Sequence, residues 1–176
     1  MMLSHPTIKQ YIGEKKIIIL PELTEEDIRP IGLRLHLGAD ILIPVEDQTI
    51  DLTNIGKVEY TKLTIRTAGY TLKPGGFILG TTHERYQMAT NLVGNLDGRS
   101  TYARLGLMIH QTSQIVDGNF EYPGSTVLEI KNNGPFNLIL KALMPIAMLN
   151  FIELTAPVTD INNFKYRNQF GVRPPE

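Results

Sequence analysis

Apolar and polar side chains alternate with a period of two along many short segments of this chain. In the segment 33–37, leucines stand at every second position, with Arg34 and His36 between them. This period is typical of a β-strand that buries one face. The segments that share this strand-like character are 16–20, 33–37, 41–45, 58–65, 77–82, 92–95, 107–111, 127–131, 136–140 and 146–154. Because Gly, Pro and Asn punctuate them regularly, the pattern predicts a single, mainly β domain over residues 1–176, built as a sandwich or barrel.

The two ends of the chain depart from this alternation. Ser4 and Pro6 precede apolar residues at 8, 11 and 12 and then Gly13, which predicts a short capped helix. The segment 155–176 mixes polar and apolar residues and ends near two prolines, so we expect an extended C-terminal arm.

Composition limits the classes of partner. The length of 176 residues suits one well-buried core, and the apolar fraction of 42% is ordinary for a globular domain. A net charge of −1 gives no general attraction for a nucleic-acid backbone, so a polyanionic ligand would need a local cationic cluster. The chain has no cysteine, which excludes disulfides and fits a reducing compartment. The N-terminal residues do not show the pattern of a secretory signal peptide. The sequence also lacks an apolar run near the ~20 residues that a membrane span needs. We expect a cytoplasmic protein that binds neither nucleic acid nor membranes.

One segment concentrates groups that bind phosphate. It reads Asp97-Gly98-Arg99-Ser100-Thr101-Tyr102-Ala103-Arg104-Leu105-Gly106. Guanidinium forks, hydroxyls and the N–H groups of a glycine-containing turn are the usual ligands of phosphate oxygens. The alternative interpretation is a surface Asp-Gly turn flanked by solvated arginines.

Two acidic residues follow as candidates for chemistry. Glu129 is the single acid in the apolar run 126–130, and it shares a strand face with Val127 and Lys131. It either lies on a solvated face or is a partly desolvated carboxylate that shuttles protons. Asp117 ends the polar segment 110–117, where a carboxylate suits a ribose hydroxyl; the alternative is a residue that caps its own turn.

The motifs of zinc-dependent deaminases and of common nucleotide-binding loops are absent from the sequence. Zinc deaminases need His-x-Glu and Cys-x-x-Cys, whereas here His83 is followed directly by Glu84 and cysteine is missing. Neither a Walker loop nor a Gly-x-Gly-x-x-Gly turn occurs. We expect no zinc and no protein-held metal, although Mg²⁺ could arrive with a triphosphate. His36 is expected to be a surface histidine.

Several motifs, taken in order, resemble those of the dCTP deaminase branch of the dUTPase-like superfamily. They are the turn 72–77 with the segment 80–84, the segment 98–106, which is similar to the family's GRSSxARLG signature, the segment 127–129, and Lys165-Tyr166-Arg167-Asn168-Gln169. The likeness runs from about residue 28 to residue 171, which is most of the chain.

The resemblance implies a fold, an assembly and an activity. The fold would be a dUTPase-like distorted β-barrel or jelly-roll with a short N-terminal helix, and the protein would be a homotrimer with active sites shared between subunits. The activity would be zinc-independent deamination of dCTP to dUTP, with Mg²⁺ accompanying the nucleotide. This reaction would supply dUMP for dTTP synthesis, and dTTP is a candidate inhibitor.

The resemblance also implies roles for single residues. Glu129 would move protons, Arg104 of a neighbouring subunit would position Glu129 and a water, and Ser113 would lie beside that water. The residues implied to bind substrate are Arg99, Ser100, Thr101 and Arg104 at the triphosphate, Asp117 at the 3′-hydroxyl, Val127 through its backbone at the base or sugar, and Lys165, Tyr166 and Gln169 on the closing arm.

Some positions depart from the family pattern and keep other functions open. Arg34 stands where the family usually has Asp, Ser113 replaces a small alanine, and the loop 118–124 is slightly longer. One alternative is a bifunctional dCTP deaminase–dUTPase or a pure dUTPase that releases dUMP and pyrophosphate. Another is a non-catalytic nucleotide-binding regulator. The presence of Glu129 together with Arg104 favours deamination.

Overall fold

The computed structural model describes residues 1–66, 68–161, 166 and 169–175, and within them most regular structure is β. The helices are α1 (His5–Gly13) and α2 (Ser100–Ala103), and a 3-10 turn spans Glu25–Asp27. The strands are β1 (Ile17–Leu20), β2 (Ile28–Arg29), β3 (Gly32–His36), β4 (Asp40–Pro44), β5 (Tyr60–Thr64), β6 (Tyr70–Leu72), β7 (Phe77–Thr81), β8 (Arg85–Met88), β9 (Leu92–Gly98), β10 (Leu107–Met108), β11 (Ile115–Val116), β12 (Val127–Asn132), β13 (Leu138–Leu140) and β14 (Pro145–Glu153). No helix in these described ranges is long and apolar enough to cross a membrane.

Two five-stranded antiparallel sheets form the body of the protein. Their strand orders are β10-β12-β7-β4-β5 and β11-β9-β14-β3-β2, and two-stranded ribbons β1-β8 and β13-β6 accompany them. Both sheets contribute to one core, for example through Leu33 and Leu35 of β3 and Leu128 and Ile130 of β12, all fully buried. The mainly β fold with a short N-terminal helix is confirmed. The predicted barrel is not closed, because the edge strands β10, β11 and β2 are only two residues long and pair on one side.

Each predicted segment contains a strand, but the boundaries and the number of strands differ. The segment 107–111 retains only Leu107–Met108, while β2, β6, β8 and β11 had no predicted counterpart. The surface turn at Asp97-Gly98, the alternative interpretation of this segment, does not form, because β9 continues through Gly98 and α2 follows. The tight turn instead lies at Gly106, whose φ is +87°. Only glycine adopts this conformation readily.

His36 is not the surface histidine that the alternation of β3 predicts. Its Nδ1 lies 2.6 Å from Oε1 of Glu84, and its backbone N–H donates to Oε2 of Glu84 at 2.8 Å. Arg34 on the same face lies 3.4 Å from Oδ1 of Asp27. Glu84 is only 2% exposed, whereas the side chains of Arg34 and His36 are 20% and 21% exposed, so this face of β3 carries a partly covered cluster of polar side chains.

Candidate active site

A cleft with a volume of 590 Å³ lies on the faces of β7 and β12 that point away from the core. Phe77 and Leu79 of β7 form part of its floor, together with Tyr60 at the start of β5. The predicted site residues that line the cleft are Ser113, Asp117, Val127, Glu129, Tyr166 and Gln169. The fold therefore brings together side chains that are spread over more than fifty residues of sequence.

Glu129 is held at this cleft by the loop after β10. Leu128 and Ile130 on either side of it are fully buried, so the half-buried Glu129 projects from the opposite face of β12. The backbone N–H of Gln111 donates to Oε2 of Glu129 at 2.9 Å. The Gln111 side-chain amide also donates to the Glu129 carbonyl oxygen at 3.1 Å. A hydrogen bond from a backbone N–H to a carboxylate is charge-assisted, so it fixes the orientation of this acid.

Ser113 and Asp117 reach the cleft because they flank the short strand β11. Val116 of β11 pairs with Gly94 of β9. A Cβ at Gly94 would lie 3.1 Å from the Cβ of Val116, so a glycine there permits the close approach of the two strands. The polar loop is thus joined to the sheet that contains β9, while Ser113 and Asp117 line the cleft on the sheet that contains β7 and β12.

Residues 169–171 of the C-terminal arm lie against the cleft of their own chain. The N–H of Ser125 donates to the carbonyl oxygen of Gln169, and the N–H of Gly171 donates to Oγ of Ser125, both at 3.0 Å. The guanidinium of Arg85 lies 5.2 Å from the ring centroid of Phe170, within cation–π range. Lys165, the remaining arm residue predicted to bind substrate, lies outside the described residues.

The phosphate motif forms a separate pocket of 210 Å³, to which Arg99, Ser100 and Thr101 contribute. Arg99 donates from Nη1 to the carbonyl oxygen of Pro145 at 3.0 Å, and its guanidinium lies 5.2 Å from the ring centroid of Tyr102. Arg104 is exposed and does not line either pocket. Within one chain, therefore, the structure does not bring the predicted phosphate ligands to Glu129.

His110 lies beside the phosphate motif and next to Gln111. Its Nε2 is 3.6 Å from Oδ1 of Asp97, while its buried Nδ1 has no hydrogen-bond partner among the described residues. Among all the residues that the structure describes, no group of three His, Cys, Asp or Glu side chains is placed to hold a metal ion.

Sequence reasoning missed several residues of the cleft. Burial raises the pKa of Tyr60, which stays a neutral phenol at the cleft floor beside Phe77 and Leu79. The alternation along 77–82 indicates that Phe77 and Leu79 share a face, but not that this face is shared with Glu129. Only the strand register shows that Glu129 shares this face, because it places Glu129 opposite Leu79.

The fold and cleft define a mainly β protein in which two carboxylates, those of Glu129 and Asp117, line one cleft and arginines line a separate pocket. A family model described as dCTP deaminase-like matches residues 2–154, and the chain belongs to that family.

Individual relatives agree with this assignment. The chain is 36% identical over 189 residues to a dCTP deaminase of Buchnera aphidicola subsp. Acyrthosiphon pisum (strain APS), covering 99% of this chain and 97% of that protein. It is 33% identical over 186 residues to a dCTP deaminase, dUMP-forming, of Dictyoglomus turgidum, covering 97% and 92%. Its fold is similar to that of 2′-deoxycytidine 5′-triphosphate deaminase from Agrobacterium tumefaciens, with a TM-score of 0.64 at 15% identity. That likeness covers 85% of this chain and 47% of the other, so this chain spans about half of that one.

Proposed function

We propose that this protein catalyses the zinc-independent hydrolytic deamination of dCTP to dUTP and ammonia. The observation that carries the proposal is the half-buried Glu129 in the cleft, oriented by the backbone N–H of Gln111. A carboxylate that is fixed in position and reaches a cleft suits general acid–base catalysis. The membership of the dCTP deaminase-like family supports the choice of substrate.

The reaction needs one group that first accepts and then returns a proton. As a water oxygen bonds to C4 of the cytosine, Glu129 accepts a proton from that water. The carboxylic acid returns that proton to N3 of the ring. Glu129 then carries the remaining hydroxyl proton to the amino nitrogen, the C4–N bond breaks, ammonia leaves, and C4 keeps the oxygen as a carbonyl beside the protonated N3. Ser113, whose side chain lines the same cleft, would hold the attacking water.

The complete site would be assembled from more than one chain. Arg99, Ser100 and Thr101 line one pocket and Glu129 another, so a nucleotide bound at Glu129 would place its triphosphate on a neighbouring subunit's arginine-lined pocket. This geometry supports the homotrimer with shared sites that the family resemblance implies. The exposed Arg104 would then position Glu129 and the water of the neighbouring chain.

The remaining contacts would select the sugar and close the site. Asp117 would accept a hydrogen bond from the 3′-hydroxyl, and the backbone around Val127 would face the base. The arm 155–176, part of the single domain 1–176, would close over the nucleotide through Lys165, Tyr166 and Gln169. Excluding bulk water in this way strengthens every charge interaction in the cleft. Mg²⁺ would enter as part of the triphosphate complex, and dTTP is a candidate competitor.

The test is product analysis by ion-exchange chromatography after incubation of the pure protein with dCTP and Mg²⁺. We expect dUTP and ammonia to accumulate together. A second candidate, a bifunctional enzyme, is favoured by the relative from Dictyoglomus turgidum that is named dUMP-forming. In that case dUMP and pyrophosphate would appear. If dCTP survives, cleavage of added dUTP would identify a dUTPase, and no turnover of either nucleotide would identify a binding protein.

A further inference from the structure

The 210 Å³ pocket beside Arg99 contains two more arginines that the proposed function does not use. Arg29 of β2 and Arg34 of β3 line it together with Arg99, Ser100 and Thr101. Arg29 and Arg99 are 70 residues apart in the sequence. The sheet order β9-β14-β3-β2 brings them to the same region.

Strand register explains why these side chains share one face. Arg34 lies opposite Met148 of β14, and Met148 lies opposite Asp97 of β9, two residues before Arg99. Because Leu33 and Leu35 are fully buried, Arg34 projects from the face away from the core. Arg29 pairs with Gly32, two residues from Arg34, and so belongs to the same face.

The charges in this pocket are unbalanced. Of the three arginines that line the pocket, Arg34 has an acidic partner among the described residues: its Nη1 lies 3.4 Å from Oδ1 of Asp27. Arg99 instead donates to the neutral carbonyl oxygen of Pro145. None of the described residues that line the pocket is acidic, and no ion pair of Arg29 is found within the described ranges. Like charges in a small pocket repel, so a bound anion would relieve the repulsion.

The size and chemistry of the pocket match a polyphosphate rather than a whole nucleotide. Its volume of 210 Å³ is below the roughly 300–1,000 Å³ typical of sites that enclose a complete small molecule. Guanidinium forks bind phosphate oxygens in pairs, and hydroxyls such as those of Ser100 and Thr101 add single hydrogen bonds.

We infer that Arg29 and Arg34 bind the polyphosphate tail of the substrate beside Arg99, and that they favour a nucleoside triphosphate over a monophosphate. The inference rests on the proposed function, because it takes the anion in this pocket to be part of the nucleotide. Arg29 and Arg34 contribute binding energy and charge selectivity, and neither touches the reacting carbon.

The test compares binding of tripolyphosphate, dCTP and dCMP by titration calorimetry for the full-length protein and its variants. Arg29→Gln lies on the exposed strand β2, so it is expected to fold normally. Arg34→Lys keeps a cation beside Asp27 but removes the fork. Arg66→Gln, an exposed arginine outside the pocket, is the matched control.

We expect Arg29→Gln to weaken tripolyphosphate and dCTP binding about tenfold and dCMP binding much less, with Arg34→Lys intermediate and Arg66→Gln unchanged. Wild-type affinity for tripolyphosphate in both pocket variants would overturn the inference.

A parallel deamination assay separates the two claims. If the wild-type protein forms dUTP but Arg29→Gln keeps the wild-type KM for dCTP, the inference fails and the proposed function stands. If the wild-type protein deaminates nothing while Arg29→Gln still loses tripolyphosphate binding, the anion site stands and the proposed function fails.

Discussion

The backbone N–H of Gln111 donates a 2.9 Å hydrogen bond to the carboxylate of Glu129. The N–H of Glu129 in turn donates to the carbonyl oxygen of Ile109, so the loop and β12 hold each other through the main chain. The orientation of the acid therefore depends on backbone geometry, which a side-chain substitution at position 129 leaves in place. This property makes Glu129 suitable for a clean mutational test.

Glu129→Gln should abolish deamination while preserving nucleotide binding. The amide keeps the shape of the carboxylate and can still accept the Gln111 hydrogen bond, but it cannot accept and return a proton. We expect kcat to fall by about a thousandfold and the Kd for dCTP to stay within about threefold. Stopped assays of dUTP formation and calorimetry measure the two quantities. Glu22→Gln, at an exposed position, is the control, and dUTP formation by Glu129→Gln at the wild-type rate would refute the proton shuttle.

Subunits that are inactive for different reasons should restore activity when mixed. Arg104→Ala lacks the positioning guanidinium and Glu129→Gln lacks the shuttle, yet a site formed between them can contain both wild-type groups. With random exchange at equal amounts, about one quarter of the sites are complete, so we expect about a quarter of wild-type activity. Subunit exchange is first established with differently tagged chains. No recovery after proven exchange would mean that Arg104 and Glu129 do not act across a shared interface.

Gly106→Ala should strongly destabilise the fold. A Cβ there would overlap the backbone nitrogen of Gly134 and lie 2.5 Å from its Cα, and the φ of +87° disfavours any other residue. Because the obstacle is backbone, we expect a loss of more than about 4 kcal/mol in the free energy of unfolding. Gly75→Ala is the control, since Gly75 also has a positive φ of +77° but open space around its Cβ position. It should cost only about 1–2 kcal/mol in denaturant titrations. Equal costs for the two variants would contradict the close contact.

Glu84→Gln should destabilise the cluster around His36. Glu84 is 2% exposed and receives the backbone N–H of His36, while its other oxygen lies 2.6 Å from His36 Nδ1. The introduced amide cannot satisfy both the His36 N–H and the His36 ring nitrogen as the carboxylate does, and position 84 is buried, so we expect a loss of about 2 kcal/mol in urea titrations.

A surface pair provides the comparison for Glu84. Glu25 lies 2.8 Å from Lys9, but both side chains are largely exposed. Glu25→Gln should therefore change stability far less than Glu84→Gln, because solvent screens the exposed pair. A similar loss in both variants would show that burial does not set the strength of the His36–Glu84 interaction.

Local periodicity predicted the strands well because it reports which side chains a strand buries. The segment 127–131 is an example, with Leu128 and Ile130 inside and Glu129 on the other face. Short strands such as β11 escaped prediction, because two residues cannot display a period. His36 was misjudged for a related reason. Alternation shows that a face points away from the core, but not that Asp27 and Glu84 come to cover it.

The sequence by itself determined the class of fold and the candidate residues, because strand periodicity and short motifs are local properties of neighbouring residues. It singled out Glu129, Ser113 and Asp117 without showing that they share a cleft. Only the tertiary structure decided that the arginine-lined pocket and the Glu129 cleft are separate within one chain, and that Arg29 and Arg34 join Arg99. These relationships depend on sheet order and register, which are set by packing between residues far apart in sequence.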